Sequence, residues 1–315
     1  MTDAAITSST PAEIWVGVDG SEGSAAAVRY AAHVAEARDV GVHLLYVIPL
    51  NTAMSPMFPM IPEEMEPVGR RLLREAEAIG ADVLPAGRVT SSLHHGQRAT
   101  SLVRASEGAP LVVLGRAEKS TVERLLTGSV ATAVSARSSG SVVVVPAGWA
   151  PREGQFHVVV GIKDMDRSGE LALRAMRSAA ERGGRVTFVH AWDMPSFYDD
   201  LTSTSDASRD WAQRSRDEMS ANLSDVMALY AEVPVDIRIV RGQPARALQR
   251  ESNSADLLLL ARRAHVFPHG HLGGTARALL RESSCPVEVV PPADQVPDAS
   301  DLVAAGAATT PLVAQ

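Results

Sequence analysis

The chain repeats itself, and this limits what it can fold into more than any other feature. IWVGVDGSEGS begins at Ile14, and HVVVGIKDMDRS begins at His157. Gly17 and Gly161 are 144 residues apart, as are Tyr46 in VHLLYV and His190 in VTFVHA. Gly96-Gln97 returns as Gly242-Gln243, LVVLG (111–115) as LLLLA (257–261), and Gly128-Ser129 as Gly274-Thr275, each offset by 146. VVVVP (142–146) returns as VEVVP (287–291), offset by 145. An offset that drifts by one or two residues is what small loop insertions leave behind. The 315 residues therefore divide into one unit at 13–146, a linker at 147–155, a second unit at 156–291, and a tail at 292–315. The tail is rich in Ala, Pro, Asp and Thr and is expected to be disordered.

Within each unit, short apolar runs alternate with helical patterns. The first unit predicts strands at 14–18, 42–47, 83–89, 111–114 and 142–145, with helices at 23–38, 63–79, 98–106 and 129–138. The second repeats the strands near 158–161, 186–190, 235–240, 257–260 and 287–290. Most runs are continuously apolar rather than alternating, the signature of strands buried on both faces of a parallel sheet. The βαβ order favours two homologous, open, doubly wound, Rossmann-like α/β domains of five strands each. Ser21 or Ser24 would cap the first helix. Pro49–Pro62 is a long Pro- and Met-rich loop, either a surface cover or a flap over a ligand crevice.

Composition closes several routes. Aromatic residues make up 4% and the formal net charge is -7, so stacking platforms and a basic track for nucleic acid are not expected. The single cysteine, Cys285, allows no intrachain disulfide and no four-thiolate metal site; its place before Pro286 reads as structural. Apolar runs fall far short of the roughly 20 residues needed to span a bilayer, and MTDAAITSST, with an acidic residue and no basic region, is not expected to act as a signal peptide. A cytoplasmic protein with no membrane contact is expected. The histidines of AHVFPHGHLGG (His265, His269, His271) lack a Cys or acid to complete a metal set, so no metal site is expected. His94 and His95 are expected in an exposed loop, and His33 and His43 in packing positions. There is no GxGxxG after the first strand, no GxxxxGK[ST] and no GxSxG, and Ser129 has no general base beside it.

In an open parallel sheet, ligands sit beyond the carboxyl ends of the strands. In the first unit those positions are Asp19-Gly20-Ser21, Val47-Ile48, Gly115-Arg116 and the approach to Gly128-Ser129. Amides and a hydroxyl at Gly128, Ser129 and Val130 suit a phosphate, and Gly115 would let a ligand approach the backbone.

Together VGVDGS (16–21), LLYVIP (44–49), LVVLG (111–115), TGSVATAV (127–134), GGTARALL (273–280) and CPVEVVP (285–291) resemble the universal stress protein family in its tandem, actinobacterial form. The resemblance implies adenine nucleotide alpha hydrolase-like domains and binding of ATP or AMP, with or without Mg2+, in a stress-response regulator without robust catalysis. It implies site residues at Gly17, Asp19, Val47, Gly115, Arg116, Gly128, Ser129 and Val130, with Gly274 and Thr275 left in the second unit. It also implies pairing across the last strands, which tandem members can make within a chain and between chains, and a homodimer through last-strand edges; the sequence names no signalling partner.

The sequence departs from the family's Gly-x2-Gly-x9-Gly-Ser/Thr pattern. Glu118 stands at the second glycine, where its carboxylate would repel phosphate. In the second unit Lys163 replaces the acid at Asp19, and Ala261 and Ala264 replace both glycines, although Arg262-Arg263 could meet phosphate. A nucleotide-free scaffold of the same fold is therefore the alternative, and a slow ATP hydrolase a third reading.

Overall fold

The computed structural model describes residues 13–49, 62–116, 127–165, 168–192, 205–262 and 272–292. The first unit runs β1 (Glu13–Val18), α1 (Glu22–Arg38), β2 (Gly41–Pro49), α2 (Pro62–Ala81), β3 (Val89–Gly96), α3 (Arg98–Ala105), β4 (Leu111–Gly115), α4 (Thr127–Arg137) and β5 (Ser141–Val145). The second runs β6 (His157–Ile162), α5 (Gly169–Ala180), β7 (Arg185–Trp192), α6 (Ser205–Leu229), β8 (Val235–Arg241), α7 (Pro244–Glu251), β9 (Leu257–Ala261), α8 (Gly274–Glu282) and β10 (Val287–Val290). Each unit has five parallel strands with its first strand inside the sheet, as the repeat and the apolar runs predict.

One strand lies elsewhere than expected. The stretch 83–88 does not begin β3; it closes α2. The amides of Val83 and Leu84 both donate to the Gly80 carbonyl, at 3.2 and 2.9 Å, and Leu84 is buried beneath them. Pro85 and Gly87, the latter at φ +85, turn the chain, and β3 starts at Val89. Its sequence, VTSSLHHG, is polar because β3 is an edge of the sheet with water on one side. His94 and His95, expected in a loop, pair with Val47 and Ile48 instead; both are exposed.

The two units form one sheet of ten strands, ordered β3-β2-β1-β4-β5-β10-β9-β6-β7-β8. At its centre β5 and β10 run antiparallel, with Val287 opposite Val144, Glu288 opposite Val143 and Val289 opposite Val142. Glu288 and Val143 are equivalent in the repeat, so an internal two-fold axis passes between them. The last-strand pairing is thus made within one chain. β5 already has β4 and β10 as neighbours, and β10 has β5 and β9, so both ladders are satisfied within one chain.

Helices cover both faces, and each face has one apolar core that crosses the junction. On one side Ile14, Val28 and Leu44 share a cluster with Met176, Phe188 and Met219; on the other Leu102, Val112 and Val134 share one with Leu258 and Leu279. The junction also holds buried polar groups. Glu288, 3% exposed, pairs with Arg174, and Tyr30 packs beside Trp149 of the linker with ring centroids 5.1 Å apart. Burial raises the Tyr30 phenol above its ordinary pKa, against the opposing pull of Arg182. Arg38 meets Glu181 at 3.1 Å, and linker residue Arg152 donates to the Ala255 carbonyl at 2.8 Å. The linker is thus docked on both units.

Candidate functional site

A cleft lies where an open parallel sheet places one, beyond the carboxyl ends of β1, β2 and β4. Val18 and Asp19 follow from β1, Leu45 and Val47 from β2, and Leu114 and Gly115 from β4. Ser24 enters from α1, Arg98 and Leu102 from α3, and Val130 and Ala131 from α4, with Gly17 in the floor. The space open to the centre of a water-sized sphere is about 70 Å3, and the whole cleft with its mouth is about 600 Å3. The cleft is thus narrow, with much of the larger figure open to solvent, and its apolar walls with a few polar groups are the usual lining of small-molecule sites.

Local structure explains how these groups are held. Asp19 accepts from the backbone N–H of Ser21 at 3.0 Å and from its hydroxyl at 2.6 Å. The Ser21 oxygen in turn accepts from the Ser24 amide at 3.1 Å, so Ser21 is the cap of α1. The exposed Asp19 carboxylate is thereby fixed at the rim while one oxygen stays open to a ligand. Behind it, α1 lies tight on the sheet because Ala26, Ala27, Ala31, Ala32 and Ala35 are fully buried.

Gly115 has a role the sequence did not show. A Cβ there would lie 2.2 Å from the Gly23 carbonyl carbon and 2.5 Å from the Ser24 amide nitrogen. The missing side chain lets the start of α1 pack on the end of β4, so Gly115 shapes the wall by close backbone packing as well as by bordering the cleft. In the second unit Ala261 replaces it and is exposed. There α5 starts at Gly169, three residues later than the repeat would place the start of α1.

Five expected site residues therefore line one cleft: Gly17, Asp19, Val47, Gly115 and Val130. Gly128 and Ser129 fall in the first turn of α4, which starts one residue before Gly128. Arg116 is a correction. Its side chain leaves the cleft and donates to the Ser283 carbonyl in the other unit at 2.5 Å, because burial beside the junction offers that carbonyl as its partner. This environment lowers the Arg116 pKa, chiefly by desolvation. Arg262, considered as a phosphate contact, is likewise committed elsewhere: it is 6% exposed and donates to the Ser138 and Ser135 carbonyls at 2.7 and 3.2 Å. Gly274 and Thr275 open α8 in the second unit and are not part of this cleft. Glu118, Ala264, Arg263 and the three histidines of 265–271 lie outside the described residues, as do most of Pro49–Pro62 and the tail from 293.

Arg98 was missed, although the repeat marks its position two residues after Gly96, where the second unit has Pro244. Its guanidinium has no ion pair among the described residues and brings positive charge to the cleft. Of the other candidates, His43 is held between the Thr90 and Ser92 hydroxyls at 2.7 and 2.8 Å, and burial lowers its pKa despite Glu13 nearby. His33 stands half-exposed against Trp149. Cys285 is buried, its thiol pushed up to about 11 by desolvation, which suits an inert packing residue. Among the described residues no group of three His, Cys, Asp or Glu side chains gathers for a metal.

Two α/β units of this topology, joined at their last strands and holding a cleft beyond β1, β2 and β4, define a class of tandem open-sheet α/β proteins. The model of the universal stress protein family matches residues 12–146 and again 156–291, and the chain belongs to that family. It is 28% identical over 295 residues to a universal stress protein of Mycolicibacterium smegmatis, spanning 91% of this chain and 99% of that one. A universal stress protein of Mycobacterium tuberculosis is 28% identical over 299 residues, spanning 88% and 94%. Among solved structures, a universal stress protein from Archaeoglobus fulgidus aligns with a TM-score of 0.60 at 19% identity, over 89% of this chain and 98% of that one. A functionally unknown protein from Pseudomonas aeruginosa aligns at 0.58 and 14% identity, over 94% and 98%. Both structures share the fold. Among the described residues no helix is long and apolar enough to cross a membrane.

Proposed function

We propose that the protein is a cytoplasmic stress-response regulator that binds one adenine nucleotide, AMP or ATP, in the first-unit cleft and does not turn it over. The carrying observation is the convergence of Gly17, Asp19, Val47, Gly115 and Val130 on one cleft. Asp19 is fixed as an acceptor suited to ribose hydroxyls, and the β2 backbone at Val47 suits the edge of a base. Arg98 and the start of α4 supply positive potential for phosphate. Mg2+ would accompany a triphosphate and offset its charge; the described residues supply no ligand cluster for the ion. Among the described residues that line the cleft the titratable side chains are Asp19 and Arg98, and this reading assigns Asp19 to the ribose rather than to proton abstraction.

The second unit is read as not binding. It has Lys163 where Asp19 stands, and Ala261 where Gly115 stands. Calorimetric titration of the full chain with AMP and ATP tests the reading, alongside Asp19→Ala and Glu118→Gly. One site per chain, weakened by Asp19→Ala, is expected. If neither nucleotide binds the natural chain but Glu118→Gly creates binding, the protein is the nucleotide-free scaffold instead.

A further inference from the structure

Two arginines cross the junction in opposite directions. Arg116 follows the last residue of β4, and Arg262 follows the last residue of β9; the repeat makes them equivalent. Each backbone amide donates to the last strand of its own unit, to Val145 and Val290 respectively, at 2.7 Å. Each guanidinium then leaves its own unit. Arg116 reaches the Ser283 carbonyl at the end of α8 at 2.5 Å, and Arg262 reaches the Ser138 and Ser135 carbonyls at the end of α4 at 2.7 and 3.2 Å. Ser138 and Ser283 are themselves equivalent in the repeat, so the two contacts obey the same two-fold relation as β5 and β10.

The chemistry suits the position. The last carbonyls of a helix lack helical partners and carry its negative end, and a planar guanidinium can satisfy two of them at once. Arg262 does this while buried, so removing it leaves unsatisfied carbonyls where water has poor access.

The clasp is symmetric, but what it holds is not. On the first-unit side, Arg116 is the residue after Gly115, and α4 carries Val130 and Ala131; Gly115, Val130 and Ala131 all line the cleft. On the second-unit side the same places hold Ala261 and the α8 residues Ala276 and Arg277. We infer that Arg262 and Arg116 are positioning residues for the first-unit cleft. The second unit, through its arginine and its Ser283 carbonyl, sets the placement of α4 and of the β4 end, and so the affinity of the cleft. The affinity part rests on the nucleotide reading above; the placement part does not.

The experiment uses the full chain with Arg262→Ala, Arg262→Lys and Arg116→Lys, read in two ways. Without ligand, amide hydrogen exchange should quicken on the order of tenfold at 130–134 of α4 in Arg262→Ala, with β7 and α5 unchanged. With AMP, the Kd should rise on the order of tenfold at a temperature where every variant is fully folded, a coupling of ordinary size. Lysine keeps the charge but not the fork, so Arg262→Lys should lie between; it also carries the test if Arg262→Ala does not fold. A purely structural arginine would lower the unfolding midpoint while leaving both α4 exchange and Kd unchanged, and that result overturns the inference. If the natural chain binds neither AMP nor ATP, the nucleotide reading fails. Placement is then decided by exchange alone: quickening confined to α4 and the β4 end supports it, and quickening that is uniform or missing overturns it.

Discussion

Replacing Gly115 with alanine tests the packing that shapes the cleft. The new Cβ would lie 2.2 and 2.3 Å from the carbonyl carbon and oxygen of Gly23 and 2.5 Å from the Ser24 nitrogen. All three obstacles are backbone, so no rotamer change relieves them. Restoring ordinary contact requires the start of α1 to retreat by about 1.2 Å. That helix is packed through fully buried alanines with no flexible side chain to fill the gap, so the move opens a void as it relieves the clash. Overpacking of this kind costs about 1–3 kcal/mol, and a backbone obstacle places Gly115→Ala near the upper end. Denaturant unfolding followed by circular dichroism should show the midpoint falling with little change in slope. The protein supplies its own control: Ala261→Gly should change stability by less than about 0.5 kcal/mol beyond the small entropic cost of glycine. A Gly115→Ala variant as stable as the natural chain, or an Ala261→Gly variant equally affected, would refute the argument.

Three further outcomes follow from groups already described. Arg98→Ala should weaken AMP binding by about tenfold while leaving adenosine nearly unaffected, because the guanidinium serves the phosphate; paired titrations check this. Glu288→Ala should cost about 3 kcal/mol, since it strands the Arg174 charge at the junction, whereas Glu288→Val with Arg174→Met should recover most of the loss; denaturation of the single and double variants decides. His157 is 2% exposed, between the Ser254 carbonyl at 2.8 Å and the Thr187 hydroxyl at 2.9 Å, and burial lowers its pKa below the ordinary 6.5. The unfolded chain therefore takes up the proton first. The His157 contribution is complete above about pH 6.5 and is lost as pH falls through the lower folded value. His157→Gln should flatten the acid side of the stability profile, and an unchanged profile would assign that slope to other groups.

How much of this could be read from the residues depended on what local pattern encodes. Both units were legible because parallel strands buried on both faces give uninterrupted apolar runs, and the offsets between runs align the copies. β3 was misplaced because an edge strand need not be apolar, while the Val83-Leu84 turn, with Leu84 buried, imitates a strand start. The placing of Asp19 and Val47 at the cleft followed from topology alone, since strand ends in an open sheet converge. Arg116 did not. Its position beside Gly115 suggested a ligand, but side-chain direction was decided by a carbonyl 167 residues away in sequence, at Ser283. The same limit left the partner of β5 open between β10 and a second chain. An apolar edge shows that a partner is needed without showing whether it belongs to the same chain.

Backbone NMR of the full chain, titrated with AMP, tests the central claim most directly. The account predicts saturable shifts at Gly17, Val47, Gly115 and Val130, with their equivalents Gly161, Ala191, Ala261 and Ala276 unmoved. Equal shifts in both units, or shifts confined to residues away from the first-unit cleft, would contradict it.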